Sequence, residues 1–145
     1  MSPDMIFSTT NLIVLPGWLL LLFLPRWKHT PTLVTALIIP LFLAAVYSIL
    51  IVTRFGGSQG GFGSLADVSL LFRDPYLLLA GWIHYLAFDL FIGAWEVREA
   101  RRLGIGHLFV VPCLVVTFLF GPAGLLLFFI VRLTVAKRLQ LGMES

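Results

Sequence analysis

Gly81-Trp82-Ile83-His84-Tyr85-Leu86-Ala87-Phe88-Asp89-Leu90-Phe91-Ile92-Gly93-Ala94-Trp95-Glu96 is an apolar run with ionisable side chains set into it. It belongs to a proline-free stretch, residues 76–95, long enough as a helix to cross a hydrocarbon core of about 30 Å at about 1.5 Å per residue. Three more stretches have comparable length: residues 5–24, 31–53 and 107–131. Together they take up most of a 145-residue chain that is 59% hydrophobic and 12% charged, with a mean hydropathy of +1.01. This composition excludes a soluble enzyme domain. It predicts an all-α fold, a polytopic membrane protein with residues 1–145 forming one domain of four transmembrane helices and both termini on one side.

The flanks of these stretches support the same reading. Before the first stands Asp4 with no basic residue, and after it comes Pro25-Arg26-Trp27-Lys28 instead of a small-residue cleavage site, so it reads as a retained helix rather than a signal peptide. The 10 Lys and Arg against 7 Asp and Glu give a net charge of +3, but the basic residues sit at span ends and in loops, where they anchor membrane helices. Nucleic acid is therefore not expected as a partner. Orientation is undecided, since Arg54, Arg73, Arg132, Lys137 and Arg138 on one side balance Arg26, Lys28, Arg98, Arg101 and Arg102 on the other. His29 and His107 read as interfacial residues at span ends. The single cysteine, Cys113, can form no intrachain disulfide.

Between spans two and three, Gly56-Gly57-Ser58-Gln59-Gly60-Gly61-Phe62-Gly63 reads as a flexible loop. Ser64 and Asp67 then resemble a capping box, and Leu65, Val68, Leu71 and Phe72 recur at helical spacing, which predicts a short amphipathic helix that Pro75 ends. Pro16, Pro40, Pro112 and Pro122 fall inside spans one, two and four and predict kinks. Gly121-Pro122-Ala123-Gly124 is the most disruptive cluster, either a packing kink of small residues or a functional backbone site.

Chemistry concentrates in the third span. At about 100° per residue, His84, Tyr85, Asp89 and Glu96 share an arc of roughly 140° that should face the bundle interior, with Gly81 on the same arc. Ionisable groups inside a membrane are costly and therefore candidates for function, although hydrogen bonding between helices also accounts for them. His84 and Asp89 lie about 7.5 Å apart along the axis and Asp89 and Glu96 about 10.5 Å, too far to chelate one metal, so no metal site is expected. Glu96, with Arg98, Glu99, Arg101 and Arg102 behind it, reads as part of a solvated ion-pair cluster near the interface. Asn11, five residues before Pro16, is placed to line the same cavity as His84 or to hydrogen-bond a neighbouring helix. Trp82, like Trp18, Trp27 and Trp95, is either an interface belt residue or a wall for a flat ligand. The Gly-rich loop lacks a G-K-[ST] ending and no serine-histidine pair sits in a nucleophile context, so no cofactor is expected.

Gly81-Trp82-x-His84-Tyr85-Leu86-Ala87-Phe88-Asp89-Leu90-Phe91, then Glu96-x-Arg98-x-Ala100-Arg101-Arg102-x-Gly104-Ile105-x-His107, then Pro112-Cys113 and Phe120-Gly121-Pro122-x-Gly124 resemble the abscisic-acid-deficient-four family of small membrane proteins, over roughly residues 5–135. Plant members of that family are linked to neoxanthin formation. No plastid leader precedes the first span, so the chain looks like a bacterial relative placed in the inner membrane. The resemblance implies conversion of an epoxycarotenoid into an allenic product, in which an epoxide oxygen gains a proton and a neighbouring carbon loses one. Asp89 and His84 would serve as acid and base without a cofactor, and Asn11, Tyr85, Trp82 and Glu96 would line the substrate site. The partners expected are membrane lipid and a carotenoid or other long apolar ligand. A non-catalytic carotenoid-binding or accessory membrane protein is the alternative, and a proton-coupled transporter a third reading.

Overall fold

The computed structural model describes residues 1–25 and 30–136, and all regular structure within them is helical. Arg26, Trp27, Lys28, His29, Lys137 and Arg138, expected at span ends, lie outside the described residues. Helix α1 (Pro3–Phe23) begins where the Ser2 side chain accepts a hydrogen bond from Met5 N at 3.3 Å, with Pro3 in the first turn, where no backbone N–H is needed. Pro16 lies within it. The second span opens with wide π-helical turns over Thr30–Ile38 and tightens into α2 (Ile39–Arg54). Pro40 stands at that junction, so the expected kink is a change of helical pitch.

Helix α3 (Leu65–Leu71) carries the cap read from sequence. Ser64 Oγ accepts from Asp67 N at 3.1 Å and donates to Asp67 Oδ2 at 2.8 Å. Pro75 does not end this helix, as expected, but starts the next one, α4 (Pro75–Arg102), behind an Asp74 cap that accepts from Tyr76 N at 2.8 Å and Leu77 N at 3.2 Å. A proline suits a first helical turn better than a last one. The glycine-rich segment before α3 is also more structured than its composition suggests. Phe62 stacks on Phe55 at 5.5 Å, and Gly61 N donates to Asp67 O at 3.3 Å.

Helix α4, about 42 Å long at 28 residues, is the axis around which the others pack. α1 runs parallel to it: Tyr76 OH donates to Met1 O at 3.3 Å at one end, Trp82 Nε1 to Asn11 Oδ1 at 3.3 Å further along, and beyond α4 His107 Nε2 lies 2.9 Å from Leu22 O. α2 runs antiparallel, with Arg54 over the Tyr76 ring at 3.9 Å and Tyr47 against His84 at 5.8 Å. Val14, Trp18, Leu21, Leu43, Ile83, Leu90 and Val97 fill the contact. Leu12, Leu19, Ile49 and Val52 point outward, the apolar exterior of helices built for lipid. Three helices are long and apolar enough to cross a membrane: Pro3–Phe23, Leu33–Gly57 and Pro75–Arg102.

The expected fourth span is not one helix. Residues 107–131 form α5 (His107–Phe120) and α6 (Pro122–Val131), folded back on each other as a hairpin at Gly121. Gly121 has φ +48° and ψ −103°, a conformation that a side chain strains, and Pro122 restarts the helix immediately. Gly124 then lies so close to the backbone and hydroxyl of Thr117 that a Cβ there would collide with both. α5 climbs antiparallel to α4: Thr117 Oγ1 donates to Glu96 Oε1 at 3.0 Å, Tyr85 OH to Phe118 O at 2.8 Å, and Gly121 meets Asp89. α6 descends again, with Phe128 against Trp95 at 5.4 Å and Arg132 Nη2 at 3.1 Å from Glu99 Oε1. Both feet of the hairpin therefore stand at the C-terminal end of α4, and its tip reaches only to the middle. The described chain begins at one end of the bundle and finishes at the other, which corrects the expectation of both termini on one side.

Candidate functional site

Where the hairpin tip meets α4, His84, Tyr85, Phe88, Asp89 and Ile92 on one wall and Gly121, Pro122 and Leu125 on the other enclose a groove of about 320 Å³. It opens at the apolar exterior, since Phe88 is 58% exposed. The glycine at the tip makes the groove what it is: a Cβ on Gly121 would stand 2.9 Å from Asp89 Oδ1 and 3.2 Å from Oδ2, so any larger residue would push on the carboxyl. Asp89 itself is 9% exposed and its Oδ2 has no hydrogen-bond partner. Tyr85 stands beside it with its hydroxyl committed to Phe118 O. An acceptor oxygen held in an apolar wall without a donor is a place where a ligand hydroxyl, or a proton in transit, is stabilised.

His84, Tyr85 and Asp89 thus line one groove, as their shared arc implies, but with unequal exposure. His84 does not face the interior: it is exposed at the rim, its ring stacked on Phe88 at 4.5 Å and tilted against Tyr47 at 5.8 Å. The reason is angular. His84 lies about 100° around the helix from Tyr85 and about 140° from Asp89, and the hairpin covers only the Tyr85–Asp89 side.

Glu96 is likewise displaced from its expected place. It is fully buried under α5 and bonded to Thr117, with Oε2 lacking a partner, so it is neither solvated nor part of the groove. Its expected cluster forms instead at Glu99, which Arg102 Nε and Arg132 Nη2 hold at 2.8 and 3.1 Å.

Asn11 and Trp82 form a separate pair on the α1–α4 contact. The Trp82 ring stacks on Tyr85 at 5.2 Å, and Asn11 Nδ2 donates to Phe7 O of its own helix at 2.7 Å. Neither lines the groove. Asn11 therefore has the helix-bridging role, because its amide is satisfied on both sides before any cavity is reached.

Sequence reasoning missed the hairpin wall. The proline and glycine neighbours of Gly121 predict a disruption, but nothing in the pattern distinguishes a kink from a reversal. Thr117 and Arg132 are ordinary residues in an apolar run until the reversal sets them opposite Glu96 and Glu99. Among the described residues, no three of His, Cys, Asp and Glu converge as a metal site would require.

Three long apolar helices, with a short hairpin closing a groove at mid-length, are consistent with a helical integral membrane protein. The family model described as ABA DEFICIENT 4-like matches residues 5–128, and the chain belongs to that family. No curated protein and no solved structure matches the chain.

Proposed function

We propose that this protein acts in carotenoid metabolism as a redox-neutral isomerase, converting an epoxycarotenoid into an allenic alcohol within the bilayer. The observation that carries the reading is the Asp89 carboxyl, buried beneath the hairpin tip with Oδ2 unpartnered, in a groove that opens at the apolar exterior and bears His84 on its rim. Family membership makes a carotenoid the natural ligand class. An epoxide oxygen seated at Asp89 receives a proton as its bond to carbon breaks, and the adjacent chain carbon gives up a proton to His84. The electron pair of that C–H bond completes the cumulated double bond. The oxygen stays on the molecule, no electrons are transferred, and no cofactor is called for. Placing the two groups on one wall supplies the proximity that such a step needs.

Three spans and a hairpin that enters from one side and leaves by the same side form the membrane topology of this reading. Lipid would cover the outer faces of α1, α2 and the hairpin.

The test is Asp89→Asn beside Asp89→Leu in a host that makes epoxycarotenoids. The amide keeps the shape and loses the proton, so Asp89→Asn should fold normally and lower turnover by roughly 10²–10⁴-fold. Full activity in that variant would remove Asp89 from the chemistry. A second reading, a carotenoid-binding accessory protein, is favoured by a neighbouring groove of about 380 Å³ between α2 and α4, with Pro40, Ala44, Ala87 and Phe91 in its almost entirely apolar lining. It shares Phe88 with the first groove, which suits the stem of a long ligand. Tight pigment binding without product in the wild type would select it.

A further inference from the structure

α5 stops in the middle of the bundle, which leaves its last turn short of donors. The final carbonyls of a helix have no helical N–H to receive, and here the turn stands at the apolar exterior, with Leu119 and Phe120 both exposed. Gly121 N satisfies the Thr117 carbonyl at 2.9 Å. The Phe118 carbonyl would be served next by residue 122, four further on, but that residue is Pro122 and has no N–H. Tyr85 supplies the missing donor from another helix, its hydroxyl 2.8 Å from Phe118 O. The Phe118 ring is held as well, edge-on to the buried Trp18 of α1 at 5.3 Å. Residue 118 is thus gripped by α4 through its carbonyl and by α1 through its ring, three residues before the Gly121 that overhangs Asp89.

We infer that Tyr85 is a positioning residue for the groove: through the Phe118 carbonyl, its hydroxyl clamps the hairpin tip and sets the gap between Gly121 and Asp89. The inference rests on the reading of that groove as the substrate site. It gives the hydroxyl a different task from contact with substrate, because its one proton is spent on the carbonyl, although the Tyr85 ring lines the groove. The clearance is small enough for the clamp to matter. A single carbon added to Gly121 would come within 2.9 Å of Asp89 Oδ1, so a small shift of the tip changes what reaches the carboxyl. A misplacement of about 1 Å at a reacting centre costs up to roughly a hundredfold in rate. The clamp acts at the reacting end of the groove, so its loss lowers kcat more than it changes KM.

The experiment reads the tip directly, on the full-length protein in phosphatidylcholine nanodiscs. Nitroxide labels at Ile49→Cys on α2 and Phe120→Cys at the tip, both exposed positions, in a Cys113→Ala background, give the distance across α4 by double electron–electron resonance. With Tyr85 in place one narrow distribution is expected, and with Tyr85→Phe a markedly wider one. In the unlabelled protein, Tyr85→Phe should lower kcat for epoxycarotenoid about tenfold per folded molecule and leave KM within about twofold. Replacing Tyr85 by 4-aminophenylalanine, which keeps a donor at the same ring position, should restore both readouts. A merely structural loss would reduce the yield of folded protein and leave kcat per folded molecule where it was. An unchanged distribution in Tyr85→Phe, or a wider one with kcat undiminished, overturns the clamp. If Tyr85→Phe does not fold, 4-methoxyphenylalanine at that position, which keeps the oxygen and loses only the proton, is read in the same way. A wider distribution, restored by 4-aminophenylalanine, in a protein whose wild type leaves epoxycarotenoid unchanged would keep the clamp and remove the isomerase. Conversion by the wild type with no change at the tip in Tyr85→Phe would do the reverse.

Discussion

Replacing Gly121 by alanine separates a hairpin from a fourth span by the sign of its effect. Gly121 sits at φ +48° and ψ −103°, so a Cβ there introduces backbone strain of about 1–3 kcal/mol. The same Cβ would lie 2.9 Å from Asp89 Oδ1, which forces the carboxyl or the tip to move. If residues 107–131 were instead one continuous helix with a glycine in its interior, the substitution would stabilise it by about 0.5–1 kcal/mol. At roughly 4 °C per kcal/mol for a domain of this size, the hairpin requires a melting temperature about 4–12 °C lower and the continuous helix one about 2–4 °C higher.

The assay is thermal unfolding of both proteins in one detergent, followed by circular dichroism and by loss of the monodisperse size-exclusion peak. Reporter fusions after Gly60 and after Ala136 give an independent reading, because the hairpin puts these positions on opposite faces of the membrane and a fourth span puts them on the same one. An unchanged or raised melting temperature together with same-side reporters would refute the hairpin, and with it the wall that closes the groove over Asp89.

Three other substitutions test the surrounding contacts. Thr117→Val removes the donor at 3.0 Å from Glu96 Oε1 and leaves a fully buried carboxyl without that bond, so a loss of about 1–3 kcal/mol should be seen in the same melts. Arg132→Met takes one of two cations from the buried Glu99 at the foot of the hairpin; a cost of about 3–5 kcal/mol is expected, and protease cleavage within residues 122–136 should speed up accordingly. Trp82→Phe deletes the indole bond to Asn11 at 3.3 Å but leaves the groove intact, so it should cost about 0.5–1.5 kcal/mol and leave epoxycarotenoid conversion unchanged. Loss of conversion in a stable Trp82→Phe protein would return that residue to the substrate site.

These contacts also show how far the sequence could be read. Apolar length is a one-dimensional signal set by bilayer thickness, so α1, the second span and α4 were legible, as was the Ser64 cap, whose partners are three residues apart. The polar face of α4 was legible for the same reason, since Tyr85, Asp89 and Glu96 share it by helical geometry alone. What α4 packs against is a separate question, decided by the path of residues 107–131. Counted by length, those residues make a span; their reversal depends on one backbone conformation at Gly121 and one close approach at Gly124, neither of which leaves a periodic trace. The errors at His84 and Glu96 both follow from that single ambiguity. A hairpin packed on the Tyr85–Asp89 side of α4 leaves His84, about 140° around the helix from Asp89, outside its cover and seals Glu96 beneath Thr117, so the residue expected to be buried is exposed and the residue expected to be solvated is buried. The chemistry proposed at the groove depends on that arrangement, because it leaves the His84 imidazole on the rim and the Asp89 carboxyl beneath the hairpin tip.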